Sequence, residues 1–586
     1  MNPDTPRTFG SVSLRWAWLS LFVASTAGFL TSGLRSLPDE SWRADAAAGA
    51  NPSPVALQPD SDRAAGGPAD PGLPADPGLP ADPEWDASIQ ALDAAWAETL
   101  AARGLTATEP ADWLAVCRRQ SLALVGTGVS LQEIRALERL PESDRPRAHL
   151  DALLRDPRFH DYWAERWTRF FVGADEGPFL VYRRRRFRIW LAEQIAANVR
   201  YDRIARQLLT ARGLWTDRPE VNFWTVTFDS GDGQPDPERM AARVSRVFLG
   251  LRIDCLQCHD DFLGNVSLGD VETPRPGLQS DFHQLAAFLS AAESDGLQGI
   301  RDRPAEYRYQ FLDAEEPVSV EPAVPYQPEL LPDRGGDRRR FAVWATHPQN
   351  RQAAKAAVSH FWALMFGRPM SASIDDLPLG YEGPRMLEAL ADDFIAHGYD
   401  VHRLIRVIGG SAPFRLSSSA GFEVTPEVEA GWAVFPIVRL RPEQVAGRLI
   451  QAARLHRVGQ DSSFLIRLQK YGSINDFVKR FGDLGEDEFV NESVTVSQRL
   501  VLLNGKMIDE SIEANPVLNA SAHIAMFAGD DERAVETAYL TVLNRYPAPR
   551  ERDHFRSRLA SADDRGEAMI DLFWVLMNGS EFGWNH

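Results

Sequence analysis

Cysteine is scarce in this sequence: there are three in 586 residues. A disulfide framework is thereby excluded as the basis of the fold, although one bridge, Cys255 to Cys258, stays open in an oxidising compartment. Net positive charge is also lacking. With 63 Lys and Arg against 82 Asp and Glu, the formal charge is -19. No nucleic-acid partner is expected, because a backbone binder needs a positive field. The sequence has no Gly-x-Ser-x-Gly elbow, no G-x-x-x-x-G-K loop and no H-E-x-x-H helix, so these hydrolase, nucleotide and zinc-protease signatures drop out. Acidic pairs occur at Asp260-Asp261, Asp375-Asp376 and Asp392-Asp393. Neighbours in sequence point different ways on a helix and give no carboxylate pair across a cleft. A polysaccharide-acting enzyme is therefore only an alternative.

What is present is a large apolar content: 44% hydrophobic residues, with 16 Trp and 30 Phe. This supports packed cores and excludes disorder for most of the chain, and the length exceeds what one core usually serves. Trp16 to Leu34 carries no charge and is flanked by Arg7, Arg15 and Arg35. Residues 1–35 are expected to be a signal anchor crossing the membrane through 16–34, or a cleaved signal peptide. Either places the remainder on the periplasmic side of a bacterial inner membrane or secretes it to the periplasm. Residues 36–84, rich in Ala, Pro and Asp with a repeat between Pro68 and Pro80, read as a disordered spacer.

Beyond the spacer the fold class is mainly α. Apolar spacing near 3.6 predicts helices from Trp85 to Leu100 and from Trp113 to Leu124, and Ser130 to Glu133 is a capping box. A further helix is expected to contain Leu150, Leu153, Leu154 and the aromatic run Phe159 to Phe171. Met240 to Phe248 and Phe282 to Leu289 continue the pattern. Prolines between Pro317 and Pro332 are too frequent for a helix, so 305–336 is an extended connector between helical domains at 85–304 and 337–586. In the second domain Val358 to Phe366, Met386 to Ile395, Leu404 to Ile408, Pro442 to Leu455, Ala534 to Leu543 and Met569 to Met577 are helix candidates. Phe464, Ile466 and Leu468 briefly alternate in a less regular stretch.

Two of the three cysteines lie in Asp254-Cys-Leu-Gln-Cys-His259. C-x-x-C-H is the pattern that attaches a c-type haem: Cys255 and Cys258 add to its vinyl groups, and His259 ligates the iron. The residues leave other readings open: a redox dithiol, part of a zinc site completed by Asp260 or Asp261, or a structural staple with no cofactor. A second axial ligand is not given by spacing; His283, Met240, Met365, His347 and His360 are candidates. Upstream, Arg183 to Arg188 holds five arginines, a candidate surface for an acidic protein or redox partner, or for haem propionates.

The chain resembles the planctomycete-type exported proteins that pair DUF1549 and DUF1553, the cytochrome-associated domain family. The first domain is represented by Ala164-Glu-Arg-Trp167, Tyr201-Asp202-Arg203 and Arg246 through Asp260. The second is represented by Phe361 to Arg368, Asp375-Asp376, His402 to Ile405, Leu502 to Gly505, Leu543 to Pro547 and Asp571 to Phe582. The resemblance covers roughly 100–586. It implies an exported factor linked to a cytochrome or to surface polysaccharide use. Two departures stand out: Asp261 occupies the place of a second histidine after C-x-x-C-H-D, and Ser359-His360 precedes Phe361-Trp362 where Asn-Arg is usual. The resulting expectation is a c-type haem protein with an electron-transfer or redox role, with an envelope scaffold as the alternative of a different class.

Overall fold

Several helices in this chain start where an acidic or hydroxyl side chain can take the first free amides. Asp112 accepts from Leu114 N and Ala115 N and opens Trp113–Val125. Ser130 and Glu133 form the expected reciprocal box at the head of Leu131–Leu137. Caps of this kind contribute about 1 kcal/mol each. Asp156 caps a helix as well, and so divides what apolar spacing reads as one helix into Arg145–Leu154 and Pro157–Val172. The break is required because Pro157 has no amide hydrogen to continue the first ladder, whereas its fixed φ suits the first turn of the second.

The computed structural model describes residues 84–586 except 175–181, 229–232, 271, 297, 313, 378 and 380–382; within 459–518 it describes only 474, 477–482, 489, 495–504, 508 and 512. All described residues belong to the compact unit Leu79–His586. The spacer expected at 36–84 lies almost wholly outside them, and so does the alternation at Phe464, Ile466 and Leu468. The fold is mainly α, with helical regions on both sides of a connector and, among the described residues, four two-stranded antiparallel sheets. Among its described residues the connecting segment holds the short pair Arg308–Tyr309 and Val318–Ser319 and the single turn Pro328–Leu330.

The helical regions do not keep separate cores. One hydrophobic cluster runs from Leu92 to Phe435. Its axis is Arg351–Phe366, buried at every position from Ala356 to Phe366. Phe361 stacks on Trp163 and Trp167 of the first region at ring separations of 5.8 and 5.6 Å. Helix Glu84–Arg103 crosses to the second region too, where Trp96 Nε1 donates to Trp432 O at 3.0 Å and Asp93 accepts from Ala412 N at 2.7 Å. A second cluster gathers Pro442–Ala452, Asp531–Val542 and Arg565–Asn578.

The structure corrects several expectations. The segment after His259 contains the hairpin Ser267–Asp270 with Thr273–Pro276, and Ala292–Asp295 pairs with Gly299–Asp302, strands that the helical reading did not anticipate. These strands are too short and polar to show an alternating pattern. The membrane contact expected through 16–34 is withdrawn. No helix among the described residues is long and apolar enough to cross a membrane, and 16–34 lies outside them. The longest described helix, Glu84–Arg103 with 20 residues, carries Asp93 and Arg103. The basic run at Arg183–Arg188 is not an open docking surface. Arg184 pairs with Glu165 at 2.7 Å and donates to Gly173 O at 2.8 Å, Arg188 also reaches Glu165, and Arg186 donates to Thr216 O. Helix Arg184–Ala196 lies along Pro157–Val172, which turns Arg184 and Arg188 toward the Glu165 carboxylate, while Arg185 and Arg186 stay exposed.

Three core histidines make the fold acid-sensitive. Burial lowers the pKa of His149 and His402 to about 4 and of His360 to about 3. His149 lies 2.8 Å from Ser121 Oγ, His402 Nε2 donates to Ile195 O at 3.0 Å, and His360 stacks on Phe170 at 3.7 Å. In the unfolded chain each takes a proton near pH 6.5, while the folded chain resists it. Their contribution is complete above 6.5 and is lost as pH falls toward 4, by up to about 4 kcal/mol per pH unit for the three together. Urea unfolding midpoints should therefore fall steeply between pH 6.5 and 4.5; a flat profile there would contradict the buried neutral histidines.

Candidate functional site

The Cys pair is delivered by a sequence of tight constraints. Helix Pro237–Val244, capped by Asp236, passes into a wider π turn at Ser245–Leu249 and stops at Gly250 with φ 60°. A side chain at Gly250 would meet Ala356 Cβ at 3.1 Å as well as suffering the left-handed backbone, so only glycine lets this turn rest on the central helix. Gly250 O accepts from Leu377 N at 2.7 Å. Arg252 then pairs with Asp375 at 2.9 Å, and Arg246 with Asp254 at 2.7 Å. Asp375 is thus a partner of this approach, not half of a catalytic carboxylate pair. Asp392 pairs with Arg351, and Asp393 with Arg403 and His397, so that acidic pair is engaged as well.

Cys255 lies in the single 3-10 turn Asp254–Gln257, with Leu256 buried beneath it. Cys255 and Cys258 are both exposed and both free, so no staple joins them; the third cysteine, Cys117, is buried. His259 is exposed. Its Nδ1 donates to Asp260 O at 2.7 Å, and Nε2 takes no part in that bond. Its ring lies beside Phe262, and Phe262 and Leu263 are 82% and 84% exposed, apolar side chains close to His259 in the chain. Asp261, in the place of a second histidine, accepts from Val266 N at 2.6 Å and Leu263 N at 3.2 Å; these amides hold its carboxyl below the usual range.

The turn is fixed from below through one carbonyl. Gln257 O accepts from His283 Nε2 at 3.0 Å, Gln279 Nε2 at 3.1 Å and Tyr309 Oη at 3.2 Å. His283 is buried, stacks on Tyr309 at 3.4 Å, and places Nδ1 2.9 Å from the Tyr307 hydroxyl. Tyr307 donates to Glu238 Oε1 at 3.1 Å, and Gln257 Nε2 returns to Glu238 Oε2 at 2.8 Å. Burial lowers the His283 pKa, partly countered by the Gln257 carbonyl and Glu238. The side chains of Glu238, Gln257, Gln279, Tyr307 and Tyr309 carry no motif signal and come together only in the fold. His283 was legible only as the nearest downstream histidine.

Both ring nitrogens of His283 are engaged, so it does not offer itself as an axial ligand. Met240, Met365 and His360 are enclosed in the core, and His347 Nδ1 accepts from Gln349 N. Among the described residues no group of three or more His, Cys, Asp or Glu side chains is arranged to hold a metal ion. A low-pKa attacking thiolate is absent at Cys255: partial burial, then the Asp261 and Asp254 charges, raise its pKa.

A cavity of about 480 Å³ opens beside this approach, with Arg246, Arg252, Asp254 and Asp375 in its wall. Two family patterns match the chain: PSCyt2, a protein of unknown function (DUF1549), over residues 91–293, and PSD1, a protein of unknown function (DUF1553), over residues 337–559. No curated protein and no solved structure matches it.

Two outcomes follow from this geometry. In chain without attached cofactor, a thiol reagent should modify Cys255 and Cys258 in the native state and Cys117 only after unfolding; native modification of all three would contradict the buried environment of Cys117. His283→Ala should destabilise the protein by about 1–3 kcal/mol in guanidinium unfolding, because it removes one donor to Gln257 O and leaves Tyr307 short of a partner. A variant as stable as the parent would show that the turn does not depend on this clamp.

Proposed function

We propose, from the premise that this chain belongs to the planctomycete family pairing DUF1549 with DUF1553, that Cys255, Cys258 and His259 attach a c-type haem and that the protein serves a redox role. Family membership links the chain to cytochrome-associated domains. The observation that carries the finer reading is His259: with Nδ1 tied to Asp260 O, Nε2 is the free nitrogen, the usual arrangement of a metal-bound imidazole. The exposed thiols stand on the same short turn, and Phe262 and Leu263 supply an apolar surface for a porphyrin edge. In this reading Cys255 and Cys258 are the residues that would hold the haem and His259 the one that would ligate its iron. When bound, the haem supplies one-electron chemistry.

The chain's own residues set the conditions. The clamp on Gln257 O holds the turn rigid while leaving its outer face in solvent, which suits exchange with an external partner. Both ring nitrogens of His283 are engaged by Tyr307 and Gln257 O, so His283 would not itself ligate a bound haem. Covalent attachment takes place after export, so the reading requires transport to the periplasmic side. The dithiol alternative is disfavoured by the raised Cys255 pKa, and the staple by the unjoined thiols.

The test is to export the full chain together with a cytochrome c maturation system and record a reduced-minus-oxidised spectrum. A sharp α band that survives denaturation and is lost in Cys255→Ala is expected. His283→Ala should retain that band and its ligation state. Correctly exported, folded protein without iron or an α band would sink the haem reading.

A further inference from the structure

The peptide group that joins Asp260 to Asp261 is held at both of its polar atoms. Its carbonyl accepts from His259 Nδ1 at 2.7 Å, and its amide, Asp261 N, donates to Gly277 O at 2.9 Å. The Asp260 side chain adds a third tie, Oδ1 accepting from Gln279 N at 2.7 Å from 19 residues away in the chain. Gln279 is the first residue of helix Gln279–Leu289, so Asp260 takes one of the amides that a helix leaves free at its start. The amide before it, Leu278 N, donates to Asp281 Oδ2 at 2.8 Å. Two carboxylates thus serve this helix start, and Asp260 alone of the two also carries the carbonyl that meets the imidazole.

These ties matter because the His259 contact cannot hold itself. A histidine bonded to the carbonyl of the next residue closes a small loop, and the bond lasts only while that carbonyl keeps its direction. His259 is exposed, so water competes for Nδ1. A neutral imidazole left to water favours its proton on Nε2; in a folded chain the partner of one nitrogen decides which of them carries it. Gly277 lets the helix start come up to the turn, since a Cβ there would meet Leu256 Cδ1 at 2.7 Å and Val266 Cγ1 at 3.0 Å. Asp261 directs its own carboxylate elsewhere, to Val266 N and Leu263 N, so the two adjacent acids have separate tasks.

We infer that Asp260 is a positioning residue: by anchoring its backbone to the start of helix Gln279–Leu289 it holds the proton of His259 on Nδ1, and so keeps Nε2 as the nitrogen open to a metal before any cofactor is attached. The inference deepens the haem reading and takes its purpose from it, whereas the tautomer is a property of the chain without cofactor. A carboxylate that only capped the helix would stabilise it and leave the imidazole indifferent.

The test uses full chain made without a cytochrome c maturation system and labelled with nitrogen-15 in its histidine rings, at about pH 8, where ordinary imidazoles are neutral. Long-range proton–nitrogen spectra separate the two tautomers, and His259→Gln identifies the signals. The parent should show His259 with its proton on Nδ1. Asp260→Ala should lose that pattern for the Nε2–H one while keeping the parent circular dichroism, since Asp260 is only half-buried. Asp260→Asn still offers an oxygen to Gln279 N and should retain the Nδ1–H pattern. Arg275→Gln, which removes the partner of Asp281 at the same helix start, should leave the tautomer unchanged. The inference is overturned by an Nε2–H signature in the parent, by its appearance in Asp260→Asn, by persistence of the Nδ1–H form in Asp260→Ala, or by an equal change in Arg275→Gln. Exported chain without haem whose tautomer follows Asp260 removes the haem reading alone; an α band in chain whose tautomer ignores Asp260 removes the positioning role alone.

Discussion

Helix Arg351–Phe366 has no polar face over its C-terminal two-thirds, and a helix buried all round must be covered from every side. That requirement brings the first helical region onto the second. Trp163, Trp167 and Tyr201 close on Phe361, and Phe170 closes on His360. The π turn at Ser245–Leu249 packs on the same helix, so the approach to the Cys pair is set by the core as much as by its own sequence. Two patterns that are separate along the chain thus share one interior.

Buried arginines complete this arrangement by serving carbonyl groups that no ladder satisfies. Arg119 donates to Phe414 O at 3.0 Å, Leu416 O at 2.6 Å and His586 O at 3.0 Å. Arg118 donates to Trp584 O at 2.6 Å, and Arg448 to Val542 O at 2.9 Å. Arg338 donates to Ala211 O at 2.7 Å while pairing with Asp302. Burial lowers the pKa of these groups, the cost of desolvating a cation, and the carbonyls offset it. The result ties the last residues, Glu581 to His586, to the helix Trp113–Val125 near the start of the described chain.

The candidate site uses the same device in miniature. A carbonyl between the two cysteines collects three donors, and this holds the 3-10 turn so that both thiols and His259 face outward. Rigidity beneath and exposure above are what an attachment turn needs. The arginine-lined cavity lies along the approach to that turn, and its wall includes Asp254, the residue before Cys255, but neither thiol.

Periodicity and capping chemistry are local, and they were readable: the box at Ser130 and Glu133, the Pro442 helix start and the helix end at Phe366 depend on neighbours within a few residues. The C-x-x-C-H triplet was readable for the same reason, since its chemistry needs adjacent residues. The break at Pro157 and the polar hairpins were less legible, because apolar spacing continues across the first and is absent from the second. What only the tertiary structure decided is which charges meet. Arg184 and Arg188 turn inward to Glu165, His283 clamps Gln257 O, and five arginines from separate segments line one cavity. Sequence determines which groups can ionise or donate; long-range packing determines what each one faces, and electrostatic interactions depend on that distance and burial.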